Sequence, residues 1–140
     1  MLNSVELKDY MLHNPVRVRP DDNVFDAIHE IMVHKVSGAC VVDENNYLLG
    51  IMSEIDCLKA VLNAVYNEVP VGNVEEYMTK EAITCKLHDN IVDVAQDMLE
   101  HKHRRRPVVQ EDGKLIGQVT CRQLLRAVKE FAAPYDKTEH

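Results

Sequence analysis

Apolar residues in the first half of the chain change their spacing in a definite order. Alternation with polar residues, typical of a half-buried strand, gives way to the spacing typical of an amphipathic helix. Two short continuous apolar segments follow, and helical spacing then returns. The predicted strand, helix, two strands and helix cover residues 16–18, 24–32, 39–42, 48–52 and 55–65. Asp22 is the predicted N-cap of the first helix, and Asn45-Asn46 is the predicted hairpin turn.

The same order of elements returns 67 residues later without a gap. Asp89 takes the place of Asp22 as a predicted N-cap, and Asp112-Gly113 takes the place of the hairpin turn. Other residues that match at this offset are Tyr10-Met11 with Tyr77-Met78, His34-Lys35 with His101-Lys102, Val41-Val42 with Val108-Val109, and Gly50 with Gly117. Agreement at one offset over such a span predicts two copies of a β-α-β-β-α unit, an α/β (α+β) fold class.

The repeat sets the expected organisation of the chain. The predicted segments are copy one at 1–66, a linker at 67–73, copy two at 74–132 and a frayed C-terminal tail at 133–140. The last helix of copy two carries its apolar stripe at Leu124, Leu125, Val128 and Phe131. Because 140 residues is the size of one ordinary domain, we expect the two copies to share a core.

Composition narrows the class of protein. A net charge of −7 disfavours nucleic acid and anionic lipid as partners. No apolar stretch approaches the length of a membrane helix, and the N-terminal sequence lacks a signal-peptide pattern, so we expect a cytoplasmic protein. The four cysteines show neither metal-ligand nor disulfide spacing and are expected to be reduced and mostly buried.

Two stretches in each copy carry a family resemblance. Copy one has His-x-x-x-Gly-x-x-Val-Val-Asp at 34–43 and Gly-Ile-Met-Ser-Glu-Ile-Asp at 50–56, and copy two has similar stretches at 104–109 and 117–120. With the order of elements, these stretches resemble a tandem pair of cystathionine β-synthase (CBS) domains, a Bateman module of the stand-alone bacterial type. The resemblance implies two units related by a pseudo-twofold axis, whose small sheets face each other across two nucleotide-binding clefts. Each cleft would combine residues of both copies.

Carried over residue by residue, the resemblance gives a first set of candidate binding residues with coherent chemistry. Asp56 would accept hydrogen bonds from the ribose hydroxyls, Ser53 lies at a helix start that favours an anion, and the two arginines would hold phosphate oxygens. The first set consists of Ile51, Ser53, Asp56, Met78, Ile83, His103, Arg104 and Arg105.

A second set departs from the family pattern. Gln123 stands where the ribose-binding aspartate is expected, Gln118 puts an amide where an apolar wall is expected, and Ser37 offers no charge for a phosphate. We therefore predict one competent cleft and one weak or empty cleft. The second set consists of Val16, Val36, Ser37, Gln118, Thr120 and Gln123.

Structural roles also fit these residues. Ser53-x-x-Asp56 and Thr120-x-x-Gln123 are both possible capping boxes. The basic run 101–106 could complement the dipole of the preceding helix, with its arginines in solvent, and Arg106 is expected at a surface or interface. His101 and His103 are expected on different helix faces, which disfavours a metal site.

The function predicted from the sequence is that of a regulatory module that binds AMP, ADP or ATP and signals to an unidentified partner protein. No catalytic residues, metal or obligatory cofactor are predicted, and a homodimer is expected. The alternatives are a dimerisation or docking module that needs no ligand, and a module that binds S-adenosylmethionine. Two arginines disfavour the last alternative because they would repel its sulfonium cation.

Overall fold

The computed structural model describes residues 6–138, with side chains up to Lys129. In chain order the elements are a 3-10 helix Leu7–Asp9, β1 (Leu12–His13), β2 (Arg17–Val18), α1 (Val24–Val33), β3 (Gly38–Val42), β4 (Leu48–Ser53), α2 (Glu54–Asn67), α3 (Val74–Tyr77), β5 (Thr79–Lys80), α4 (Ile91–His101), β6 (Arg105–Val109), β7 (Leu115–Thr120) and α5 (Cys121–Thr138). The predicted mixed α/β class and the repeated order of helices and hairpins are confirmed.

The chain forms two compact units. The first unit comprises Pro15–Ala82 and Gly113–Leu115, and the second comprises the described parts of Met1–Asn14, Ile83–Asp112 and Ile116–His140. The sheet of the first unit has the order β2-β3-β4-β5, with β2 parallel to β3 and the other pairs antiparallel. The sheet of the second unit has the order β1-β7-β6, and β1 is antiparallel to β7.

Each unit includes a short segment from the start of the other copy. Strand β5, at the start of copy two, pairs with β4, and β1, at the start of copy one, pairs with β7. A glycine lies where each of these added edge strands pairs. A Cβ at Gly50 would lie 2.4 Å from the Thr79 carbonyl oxygen, and a Cβ at Gly117 would lie 2.7 Å from the Leu12 carbonyl oxygen. The repeated glycine of the sequence therefore permits the close approach of an added edge strand.

The apolar residues form two clusters, one in each unit. The cluster of the first unit includes Val24, Val41 and Met52, and it also contains Val74 from the start of copy two. The cluster of the second unit includes Met98 and Val119, and it contains Leu7 from the start of copy one. The expectation of a shared core is therefore wrong in its simple form, since each copy completes its own cluster with a segment of the other.

Several local predictions differ from the structure. Asn23 and Asn90, rather than Asp22 and Asp89, cap α1 and α4, by accepting hydrogen bonds from Phe25 N–H and Val92 N–H. Each aspartate instead closes the preceding turn, because its carboxylate accepts from the N–H three residues earlier. The first strand predicted in copy two is reduced to one bridge between Cys85 and Val108.

The end of the chain also differs. Helix α5 extends through Thr138, past the predicted start of the tail at 133. The side chain of Phe131 lies outside the described residues. Within the described chain, no helix combines the length and apolarity that crossing a bilayer requires.

Candidate functional site

The start of α2 holds the candidate residues of the first unit. Ser53 is the N-cap, and it forms a complete capping box with Asp56: Ser53 N–H donates to Asp56 Oδ2 at 3.0 Å, and Asp56 N–H donates to Ser53 Oγ at 3.1 Å. Main-chain geometry thus places a carboxylate, only 7% exposed, beside the N-terminus of a helix. The helix dipole stabilises that negative charge.

Thr79, which the sequence did not single out, adds a third hydrogen bond to the two of the Ser53–Asp56 capping box. Its hydroxyl donates to Asp56 Oδ2 at 3.2 Å from strand β5, where Thr79 pairs with Ile51. The hydrogen bonds from Ser53 and Thr79 both converge on Oδ2, so Oδ1 lies outside them. The one sequence signal that could have pointed to Thr79 is its position directly after the candidate residue Met78.

The other candidate residues of the first unit lie in a strand of its sheet or within two residues of one. Ile51 and Met78 are half-buried, and Met78, the C-cap residue directly after α3, packs against the apolar cluster. Val16 and Val36 also pack against that cluster, and the carbonyl oxygen of Ser37 accepts from Glu54 N–H at 3.1 Å. Ser37, assigned to the second set, thus lies at the same helix start as Ser53.

An equivalent helix start carries the basic residues of the second unit. The carbonyl oxygen of Arg104 accepts from Cys121 N–H at 2.9 Å, so Arg104 lies at the first turn of α5. The Arg104 side chain is exposed, Arg105 is half-buried at the start of β6, and Ile83 is exposed. This placement puts a cation where the first unit has the uncharged Ser37.

The amide side chains of the second set occupy the rest of this helix start. Thr120 N–H donates to Gln123 Oε1 at 3.0 Å, Gln123 N–H donates to Thr120 Oγ1 at 3.4 Å, and the Thr120 hydroxyl also donates to Gln123 Oε1. Both Gln123 and Gln118 are buried. The capping role predicted as an alternative is thus present in both units, with a carboxylate in the first and an amide in the second.

Arg106 corrects an expectation. Instead of lying at a surface, it is 3% exposed; its Nη1 donates to Asp97 Oδ2 at 2.7 Å and its Nη2 donates to His103 Nδ1 at 3.0 Å. The physical reason is that Asp97, one turn before the end of α4, supplies a counter-charge that lets the guanidinium leave water.

The histidine expectation is also wrong in its geometry. Helix α4 ends at His101, and Lys102 adopts a left-handed conformation with φ 58°, so His103 turns back. The rings of His101 and His103 then lie 5.3 Å apart between centroids. Partial burial, followed by the charges of Arg106 and His101, lowers the pKa of His103, and Asp97 opposes this shift. Among the described residues, no cluster of three His, Cys, Asp or Glu side chains could hold a metal ion.

Cys57 lies within electrostatic range of Asp56, and Cys85 lies within range of Arg106. Burial, with the charges of Asp56 and Glu54, raises the pKa of Cys57 to about 11. Burial also raises the pKa of Cys85 to about 11, against the opposing charge of Arg106. All four cysteines are free, and of these only Cys121 is exposed.

Comparison with known proteins gives matches over nearly the whole chain. The family model of the CBS domain matches residues 7–63 and again 74–130. A solved structure of CBSX2 from Arabidopsis thaliana in complex with AMP is 32% identical, covers 91% of this chain and 98% of that one, and superposes with a TM-score of 0.83.

Two further matches are another CBS domain pair, solved with different ligands, and an enzyme of which this chain matches only a part. The CBS domain pair of protein MJ0100, solved with 5′-methylthioadenosine and S-adenosyl-L-methionine, is 25% identical, covers 86% of this chain and 97% of that one, and has a TM-score of 0.75. Inosine-5′-monophosphate dehydrogenase of Aquifex aeolicus is 32% identical over 120 residues, which are 85% of this chain. The chain spans 24% of that enzyme, and between 24% and 65% of the first three curated relatives it matches.

Proposed function

Because the chain belongs to the CBS domain family, as a tandem pair of these domains, we propose that it is a regulatory module that binds an adenine nucleotide. The observation that carries this proposal is the likeness to CBSX2, whose structure was solved with AMP. The bound state would be communicated to a partner protein. The module itself would perform no catalysis.

Asp56 is proposed to bind the ribose. Its carboxylate is held by Ser53 and Thr79 through Oδ2, which orients the group without using Oδ1. A fixed carboxylate can accept hydrogen bonds from both ribose hydroxyls. Hydrogen bonds to a charged group contribute about 1.5–3 kcal/mol each. Ile51, Met78 and Ile83 are proposed to contact the adenine.

Arg104 and Arg105 are proposed to hold the phosphate groups, with His103 beside them. Guanidinium groups bind phosphate oxygens in a bidentate manner, and the main chain of Arg104 is fixed to the first turn of α5. The N-terminus of that helix also favours an anion. The second set, from Val16 to Gln123, is proposed to bind a nucleotide weakly or not at all.

Calorimetric titration of the purified protein with AMP, ADP and ATP tests the function. We expect heat on binding, a stoichiometry of one nucleotide per chain, and about 2.7 kcal/mol of added stability at 100 times the dissociation constant. Absence of both heat and thermal stabilisation with all three nucleotides would contradict the proposal.

A matched pair of nearly isosteric substitutions tests the assigned residue. Asp56→Asn removes the charge but keeps an acceptor for the capping box, so it should weaken AMP binding at least tenfold, with a small effect on stability. Gln123→Glu makes the reverse exchange at the equivalent position of the second unit and should leave AMP affinity unchanged. Equal affinities of Asp56→Asn and the wild type would remove Asp56 from the site.

S-adenosylmethionine remains the competing ligand, since the MJ0100 pair was solved with it. Its sulfonium would lie near the proposed phosphate contacts, where Arg104 and Arg105 would repel it. Competition calorimetry decides between the two. If S-adenosylmethionine displaces AMP and binds more tightly, the ligand assignment changes, whereas the role of Asp56 at the ribose stays the same.

We also propose that the module is cytosolic and forms a homodimer through its helices. The free cysteines are consistent with a reducing compartment. The outer face of α2 is apolar, and Ile55, Leu58, Leu62 and Val65 are all more than half exposed. Single exposed apolar residues are ordinary, but a continuous stripe on one helix is typical of an interaction surface.

Light scattering of the wild type and of Leu58→Asp tests the dimer. Leu58 is 61% exposed, so its replacement should convert a dimer into a monomer without unfolding the chain. Lys59→Glu changes an exposed charge on the same helix and serves as the control. A wild type that is monomeric at micromolar concentrations would contradict the dimer but not the nucleotide site.

A further inference from the structure

Arg106 is the most deeply buried charged side chain among the described residues. It occupies the second position of β6, directly after the turn that carries His103, Arg104 and Arg105. Its guanidinium joins that turn to α4, through Asp97 on one side and His103 on the other. One side chain therefore links the helix to the segment proposed to bind phosphate.

The first unit shows that the fold does not need this link. At the offset of 67 residues, Arg106 corresponds to Ala39, Asp97 to Glu30 and His103 to Val36. Ala39 is buried in an apolar cluster, so the same strand position packs well without charge. Burying an ion pair is often less stabilising than burying apolar groups of similar size. A role other than stability would account for Arg106.

The geometry also selects one form of His103. A guanidinium has only donors, so His103 Nδ1 must accept the hydrogen bond from Arg106 Nη2. The ring proton then resides on Nε2, which leaves Nε2–H as a donor. The charged and titratable groups around the ring are Arg106 of β6 and Asp97 and His101 of α4. Arg104 and Arg105 follow His103 in the chain, and Cys121 Sγ contacts the His103 carbonyl oxygen at 3.7 Å.

We propose that Arg106 is a positioning residue for phosphate recognition: it fixes His103 as the Nε2–H tautomer and anchors the turn that presents Arg104 and Arg105. This inference rests on the proposed nucleotide function and assigns a part of it. The anion recognised is the phosphate group of the nucleotide. Without the anchor, the turn would be ordered only on binding, and that ordering would reduce affinity.

The test compares Arg106→Leu with the wild type in three measurements. Nitrogen-15 NMR of the histidine rings, recorded without ligand, gives the tautomer and the pKa of His103. We expect a predominant Nε2–H tautomer in the wild type, and in Arg106→Leu a mixture of tautomers and a higher pKa. Calorimetry should show AMP binding weakened about tenfold. The melting temperature should stay the same or rise, since leucine suits a core position.

Asp97→Asn is the second variant, because it loosens the guanidinium without adding an apolar group and is expected to fold. It should weaken AMP binding in the same direction and by a smaller factor. Arg106→Lys keeps the positive charge but cannot contact Asp97 and His103 as the guanidinium does. Its AMP affinity should therefore lie between those of Arg106→Leu and the wild type.

Each outcome decides the proposal. Unchanged AMP affinity in Arg106→Leu overturns it, and so does weaker binding with an unchanged His103 tautomer, which would indicate a general structural effect. If the wild type binds none of the nucleotides, the proposed function fails and phosphate positioning fails with it. The ligand-free NMR comparison would still report whether Arg106 selects the tautomer.

Discussion

Gly50 lies in β4, where the edge strand β5 pairs with it. Its replacement by alanine is the most direct test of whether the start of copy two adds an edge strand to the sheet of copy one. The added Cβ would lie 2.4 Å from the Thr79 carbonyl oxygen and 3.3 Å from its carbonyl carbon. These are main-chain atoms that cannot rotate away, so β5 would have to move. At the equivalent Gly117, the added Cβ would meet the Leu12 carbonyl oxygen at 2.7 Å and the flexible Met11 side chain.

The magnitudes follow from these distances. Overpacking costs about 1–3 kcal/mol, so Gly50→Ala should lie near 3 kcal/mol and Gly117→Ala near 2 kcal/mol. Alanine's lower entropy in the unfolded state offsets less than about 1 kcal/mol of either value. Gly113 is the control: space is available there, but its φ of 95° makes Gly113→Ala cost about 1 kcal/mol.

Thermal unfolding followed by circular dichroism measures the series. At this chain length, 1 kcal/mol corresponds to about 3 °C, so the expected losses are about 9, 6 and 3 °C for positions 50, 117 and 113. Thr79→Val removes the hydroxyl without a clash and should cost about 1 kcal/mol, while weakening AMP binding. If Gly50→Ala melts within about 2 °C of the wild type, instead of the expected loss of about 9 °C, the close approach of β5 to β4 does not exist in solution.

Two further predictions concern helix ends and thiols. Asn23→Ala should destabilise the protein by about 1 kcal/mol in urea unfolding, whereas Asn23→Ser, which keeps a capping oxygen, should be near neutral; equal losses would argue against the cap. At pH 8, iodoacetamide should alkylate the exposed Cys121 well before Cys57 and Cys85, because burial raises the pKa of both to about 11; peptide mass mapping would detect the reverse order.

The repeat and most elements could be predicted because both signals are local. A constant offset and the periods of helix and strand are visible in the residues themselves, and the hairpins at 38–53 and 105–120 formed as expected. The two-residue edge strands could not be predicted in this way. A pair such as Leu12–His13 is too short to show a period, and its pairing with β7 depends on the path of the whole chain.

Side-chain partners were harder to predict than elements. Asp22 and Asn23 are both good capping residues, and only the exact position of the helix start decides between them. Arg106 was misplaced for a different reason: a charged residue in an apolar pattern is normally at the surface, and the pairing with Asp97 that permits its burial depends on how α4 packs on β6.

The difference between the two helix starts bears on why Asp56 is charged. Gln123 forms the same reciprocal capping bonds as Asp56, so the fold requires only an acceptor at this position, and a neutral one suffices. The Asp56 carboxylate also accepts a hydrogen bond from the Thr79 hydroxyl. The residue equivalent to Thr79 in the second unit is Leu12, whose side chain has no hydrogen-bond donor. The two copies therefore differ in the source of the hydroxyl donor, which is the capping residue Thr120 itself in the second unit and Thr79 of the added edge strand in the first. A buried carboxylate, held by a further donor that capping does not need, is better explained by a ligand than by the helix.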